Sequence, residues 1–206
     1  GDTMMRLARV SERSCSGEKR SDMWAFREAE GEFYCGIIEA MKITPEYLAQ
    51  NRKLHAVGNY GLSGQRWAKT LLNVCATVGS RDVLDYGCGQ RTLERDLGFP
   101  ISNYDPCIPG LDAPPAPADV VACTDVLEHI EPECLDEVLD DLKRVTRKIG
   151  FFVIATRPAK KVLPDGRNAH LIQESLAWWL PKLESRFTVS QVKEMSGEFA
   201  VVVRPS

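Results

Sequence analysis

Apolar positions recur at two distinct periods along this chain. Trp67, Leu71, Val74, Cys75 and Val78 repeat at helical spacing, and Gly79 closes that run. A 3.6-residue repeat places such positions on one face of a helix, so a helix is predicted there. Glu133 to Lys148 carries a second stripe, Leu135, Val138, Leu139, Leu142, Val145 and Ile149, with acidic first turns and basic last turns. That charge order suits the helix dipole. Leu171 to Ser185 carries a third, with Ile172, Leu176, Trp179, Leu180 and Leu183 on one face and a kink expected at Pro181. LERDLG, closed by Gly98 and Pro100, is a brief helix. Between them lie short apolar runs bounded by turn residues: RDVLDYG, PISNYD, ADVVACTD and FFVIAT. They read as buried strands, FFVIAT being apolar almost throughout, as a central parallel strand should be. RFTVSQVKEM and EFAVVVRP read as two more strands joined at Ser196-Gly197.

Strands alternating with helices, ending in a hairpin, predict an α/β fold: a doubly wound, Rossmann-like, mostly parallel sheet with an antiparallel hairpin at its C-terminal end. The first 32 residues are rich in charge, Ser and Gly and read as a flexible or helical arm. Residues 33–64 look helical, with Thr44-Pro45 a helix start and a glycine-rich loop from His55 to Gly64. They are expected to cap a core spanning residues 65–206. Pro106 to Pro117 holds five prolines and is loop.

Composition adds limits. A chain of 206 residues fits one core-bearing domain, and no apolar run is long enough to span a bilayer. The N-terminus lacks the apolar stretch of a signal peptide, so a cytoplasmic location is expected. The net charge of −3 does not favour nucleic acid as partner. Seven cysteines without a Cys-x-x-Cys pair, and only three histidines, predict neither a zinc site nor a disulfide framework.

Candidate chemistry begins where the first strand runs into Asp85-Tyr86-Gly87-Cys88-Gly89-Gln90. Gly87 and Gly89 lack a Cβ and permit close approach of a ligand to backbone. Asp85 adds a carboxylate, which suits a cationic amino-acid ligand better than a pyrophosphate. The dinucleotide pattern is incomplete, because Thr92 stands where its third glycine would be. The second strand ends at Asp105-Pro106, an acid placed to hold ribose hydroxyls about 20 residues after the glycine turn. The third ends in Thr124-Asp125-Val126-Leu127-Glu128-His129-Ile130.

Together VLDYGCG, NYDP and ADVVACTDVLEHIEP resemble class I S-adenosylmethionine-dependent methyltransferases. The similarity covers about Leu62 to Phe187, and is to the small-molecule branch that includes ubiquinone-biosynthesis-type and uncharacterised bacterial and phage methyltransferase-domain proteins. The resemblance implies that S-adenosylmethionine is the cofactor. Asp85, Gly87 and Gly89 would contact its methionine part, Asp105 its ribose, and Thr124, Asp125 and Val126 would close over it, with Tyr86 and Pro106 counted among the cofactor-binding residues. Tyr60 is a candidate cover. His170 and His129 are the candidate catalytic residues, as proton acceptors if the acceptor must lose one; the alternative for each is a helix-capping role. The family pattern has a strand, a helix and an adenine-binding acid between the positions of Asp105 and Asp125. This chain is too short there, so the middle of the sheet is expected to be shortened, with Asp112 a candidate for the adenine acid. Arg157, Lys160, Lys161 and Arg167 form a basic stretch after the fourth strand, open to an acceptor phosphate or carboxylate or simply to solvent. The expected partner is thus a small-molecule or nucleotide acceptor. A non-catalytic binding module of the same fold, and a nicotinamide-dependent oxidoreductase, are the alternatives.

Overall fold

Each central strand has one apolar face for each of two helical layers. The computed structural model describes residues 42–56 and 61–206. The expected arm and residues 33–41 lie outside the described residues, as does Tyr60. The elements run α1 (Pro45–Ala56), α2 (Ala68–Val78), β1 (Val83–Tyr86), α3 (Thr92–Leu97), β2 (Ser102–Tyr104), β3 (Ala118–Thr124), α4 (Leu135–Val145), β4 (Thr146–Ala155), α5 (Leu176–Glu184), β5 (Phe187–Met195) and β6 (Glu198–Pro205). They form a six-stranded sheet in the order β2-β1-β3-β4-β6-β5. β2, β1, β3 and β4 pair in parallel, while β6 runs antiparallel between β4 and β5. The α/β class, the parallel centre and the C-terminal hairpin are as the sequence predicts. The shortening between β2 and β3 leaves β2 as the sheet edge.

Alternation along β3 and β4 divides the core. Val121, Cys123, Phe152 and Ile154 face α4 and α5, where they meet Leu139, Leu142, Trp179 and Leu183. Val120, Ala122, Phe151 and Val153 face the other way, onto Leu71, Val74, Leu93 and Leu97 of α2 and α3. Each Leu or Val fully buried in this way stabilises the fold by roughly 1.5–3 kcal/mol relative to exposure. Of the two adjacent tryptophans, Trp179 is fully buried and Trp178 lies half-buried under Lys182. No helix among the described residues is long and apolar enough to cross a membrane.

Two boundaries differ from the periodicity. The helix predicted to reach Lys148 stops at Val145, and β4 begins at Thr146. The Thr146 hydroxyl donates to the Leu142 carbonyl at 2.7 Å, capping the helix, while Arg147 pairs with Asp82 and Lys148 with Asp119. Those basic residues anchor a strand start rather than a helix end. The helix predicted from Leu171 begins at Leu176, because the Ile172 amide is drawn to the Glu128 carbonyl at 3.0 Å. The helix then runs through Pro181 to Glu184.

A buried polar knot ties β1 to α4. The Tyr86 hydroxyl donates to Asp141 at 2.9 Å, and Lys42 and Arg144 reach the same carboxylate at 3.0 and 2.8 Å. Burial alone raises the Asp141 pKa, but bonds from Lys42, Arg144 and Tyr86 outweigh it and hold the carboxyl below its usual range. Tyr86→Phe is expected to cost about 1.5 kcal/mol, the value of a hydrogen bond to a charged acceptor. A urea titration checks this: the midpoint falls with an unchanged slope.

Candidate functional site

Doubly wound sheets open a crevice at the carboxyl ends of their strands, where the strand order reverses. Here β1 is followed by β2 on one side and β3 on the other. A cavity of about 470 Å³ opens at that point, within the range of small-molecule sites.

The turn after β1 forms its floor. The amides of Gly87 and Cys88 both donate to the Tyr104 carbonyl, at 2.8 and 3.0 Å, which fastens the turn to the end of β2. Gly87 sits at φ +81° and Gly89 at +50°, a region costly for residues with a Cβ. A Cβ on Gly89 would lie 2.6 Å from the Gly61 carbonyl oxygen, and the Gln90 amide donates to that same oxygen at 3.0 Å. Two bare backbones therefore meet at one rim of the cavity. The Asp85 carboxyl is buried and accepts no hydrogen bond among the described residues. Burial first, and then the charges of Asp105 and Glu94, push its pKa up to about 7.

Asp105, after β2, is also buried, and its two oxygens accept the amides of Gly89 at 3.1 Å and Cys107 at 2.9 Å. The acid thus braces the glycine turn while facing the cavity. After β3, Asp125 holds φ +54°, an uncommon conformation for a residue with a side chain. Its amide is tied to the Val153 carbonyl at 3.0 Å, and its carboxylate lies 3.8 Å from the Arg66 guanidinium. Arg66 also pairs with Glu198.

The remaining walls come from α1 and from the segment after β4. Tyr47, Asn51 and His55 sit one helical turn apart on α1 and all line the cavity. α1 is held there by the Tyr47 hydroxyl, which donates to the His129 carbonyl at 2.6 Å, and by Thr44, whose amide and hydroxyl both bond Glu131. Arg157, Lys160 and Lys161 line the cavity as well, as do His129 and His170. The two histidine rings pack edge to face with centroids 4.7 Å apart. His129 is pushed down to about 3 by burial and then by His170; burial likewise lowers His170. Both rings are therefore neutral at neutral pH. Behind them Glu128 is fully buried, and burial followed by the Asp125 charge pushes it up to about 8.

Of the residues singled out from sequence, Gly87, Gly89, Asp105, Pro106, Asp125, Val126, His129 and His170 line this one cavity. Asp85 and Thr124 are buried and are not among its lining residues. Tyr86 is directed into the core, onto Tyr104 and Asp141. Asp112 is exposed on the loop after β2, near Arg52. Arg167 pairs with Asp165 outside the cavity, whereas its three basic neighbours line it. Arg66, Tyr47 and Asn51 went unread in the sequence. The i, i+4, i+8 spacing of Tyr47, Asn51 and His55 is the signal that marks one helix face.

The chain matches the family described as "Methyltransferase domain" over residues 48–196. No curated protein matches it in sequence. Among solved structures it is similar to 1,6-didemethyltoxoflavin-N1-methyltransferase from Burkholderia thailandensis, bound to 1,6-didemethyltoxoflavin and S-adenosylhomocysteine. The TM-score is 0.58 at 17% identity, over 88% of this chain and 99% of that one. It is also similar to magnesium protoporphyrin IX methyltransferase from Synechocystis PCC 6803 with SAH bound, with a TM-score of 0.51 at 15% identity over 69% and 83% of the two chains. An O-methyltransferase family protein from Burkholderia thailandensis aligns with a TM-score of 0.52 at 13% identity over 77% and 61%. Likeness at these identities speaks for the fold, whereas the family match covers most of the chain with the glycine turn and strand-end acids inside it. The chain belongs to the methyltransferase-domain family.

Proposed function

We propose that this protein transfers a methyl group from S-adenosylmethionine to a small-molecule or modified-nucleotide acceptor. The observation that carries this reading is the convergence of the glycine turn, Asp105 and Asp125-Val126 on one cavity at the ends of three parallel strands. The residues fit such a cofactor. Gly87 and Gly89 leave a cradle that a Cβ would fill, and Asp85 offers a buried carboxyl without a hydrogen bond of its own to a cationic amino group. Asp105 and Pro106 would hold the ribose, and Thr124, Asp125 and Val126 would close over the rest. The cofactor supplies an electrophilic methyl on a sulfonium. The chain's own task is to align an acceptor atom in line with that methyl and to exclude water, which can lower a barrier by roughly 7–11 kcal/mol.

His129 and His170 would face the acceptor, and Arg157, Lys160 and Lys161 line the same cavity. That cationic wall favours an acceptor carrying a phosphate or carboxylate. Calorimetry with S-adenosylhomocysteine tests the cofactor assignment. One equivalent is expected to bind, and a folded sample that takes up none at millimolar ligand sinks it.

A second test uses protons. An acid whose pKa is raised to about 7 is largely protonated below that pH in the free protein. An ammonium group beside it favours the carboxylate. Binding of S-adenosylhomocysteine therefore releases a proton below about pH 7, and affinity rises with pH before levelling off above it. Calorimetry in buffers of different ionisation enthalpy reads the proton directly. Asp85→Asn is expected to abolish both the release and the slope.

A further inference from the structure

We propose that Glu128, His129 and His170 bind a divalent transition-metal ion in the wall of the cavity, leaving one coordination position open toward the acceptor. One ligand-capable atom from each of these three residues lies within 4.8 Å of those of the other two. They come from two segments: a short helical turn after β3 at Leu127–His129, and the loop that follows β4. The Ile172 amide, which donates to the Glu128 carbonyl at 3.0 Å, staples those segments together.

Ring orientation supports the assignment. Nδ1 of His129 lies 2.7 Å from the Ala169 carbonyl, and Nδ1 of His170 lies 2.6 Å from the Arg157 carbonyl. A carbonyl only accepts, so each Nδ1 carries the proton and each Nε2 carries the lone pair. Metal-binding histidines are typically oriented in this way, their second nitrogen donating to a backbone carbonyl or carboxylate. Glu128 provides an independent observation. Its Oε1 accepts the Ala155 amide at 3.1 Å, but its fully buried Oε2 has no hydrogen-bond partner among the described residues. A buried carboxyl oxygen without a partner is costly, and a cation that takes the place of its proton meets that need.

Two imidazoles and one carboxylate form a three-ligand set of the catalytic zinc type, with a fourth place left for water or substrate. Imidazole ligands select zinc, cobalt or iron over magnesium. Bond lengths of about 2.0–2.1 Å put tetrahedral ligands roughly 3.3 Å apart, so metal binding draws the three side chains inward. An ion there would hold and polarise an acceptor oxygen, giving the neutral histidines a role as ligands rather than as bases.

The test is a titration of the full chain, stripped with chelator, using cobalt(II) as the spectroscopic probe and zinc as competitor. One equivalent is expected, with visible bands of a tetrahedral nitrogen and oxygen site, no thiolate charge-transfer band, and displacement by zinc. Metal is also expected to raise the melting temperature. Glu128→Gln and His170→Ala should each weaken binding by roughly 10–100-fold, while their far-ultraviolet circular dichroism stays that of a folded protein. Wild-type protein that binds neither ion at micromolar concentration, a cobalt spectrum with thiolate bands, or folded variants that bind as tightly as wild type would each overturn the proposal. None of these readouts depends on S-adenosylmethionine, so the metal site and the cofactor site stand or fall separately.

Discussion

Gly89→Ala is expected to lower the affinity for S-adenosylhomocysteine by roughly 100-fold or more, corresponding to about 3 kcal/mol. Two costs add. A residue with a Cβ in the left-handed region costs roughly 1–2 kcal/mol relative to glycine, and Gly89 sits at φ +50°. The new methyl would also lie 2.6 Å from the Gly61 oxygen and 2.7 Å from the Gly61 Cα. That is backbone against backbone, and no side-chain rotation relieves it. The Gly61 segment must move away, breaking its bond to the Gln90 amide and carrying Leu62, Ser63 and Arg66 off the cavity rim. Gly87→Ala provides the contrast. Its Cβ would meet the Val126 Cγ2 at 2.3 Å, the end of a side chain that has other rotamers. Its effect is therefore expected to be the smaller. Calorimetry on both variants decides the matter, and equal losses would mean that the Gly61 contact contributes nothing to the site.

Most of the fold is legible in the sequence because its signals are local. FFVIAT is apolar on both faces, and its residues do pack against helices on both sides of the sheet. The errors fall where a distant partner decides. Thr146 to Lys148 continues the helical period, yet Asp82 and Asp119 recruit its basic side chains to the start of β4. Leu171 to Ser175 fits an amphipathic pattern, yet the Glu128 carbonyl takes the Ile172 amide and extends the backbone.

The candidate site divides the same way. Gly87, Gly89, Asp105 and Asp125 punctuate strand ends, and strand ends are where a doubly wound sheet gathers ligands. Tyr86 sits in the same motif but faces inward, because alternation along β1 puts it on the face of Leu84, toward α4. Arg66 has no local signature. It belongs to the site only because the chain folds it beside Asp125 and Glu198. The cluster of Glu128, His129 and His170 is invisible for a related reason. Its spacing matches no metal motif, and only the packing of one loop onto another brings the three together.

Asp105→Ala is expected to weaken S-adenosylhomocysteine by roughly 100–1000-fold, through two losses rather than one. The first is any bond the carboxylate makes to the ribose. The second belongs to the free protein: the Gly89 and Cys107 amides both lose their acceptor. Each buried donor left without a partner costs about 1–3 kcal/mol, so the glycine turn loosens before any ligand arrives. Asp105→Asn separates charge from shape, since an amide oxygen still receives one of the two amides. It also removes a negative charge that helps hold Asp85 up at about 7. Without that charge the Asp85 pKa falls, and the free protein already carries the carboxylate near neutrality. Proton release on binding must then shrink just below pH 7, and the rise in affinity with pH must move to lower pH. A drop in affinity with the proton release unchanged would show that Asp105 acts on the ligand alone. A drop in affinity with the midpoint moved to lower pH would show that the two acids work as a pair, one holding the ligand and setting the charge state of the other.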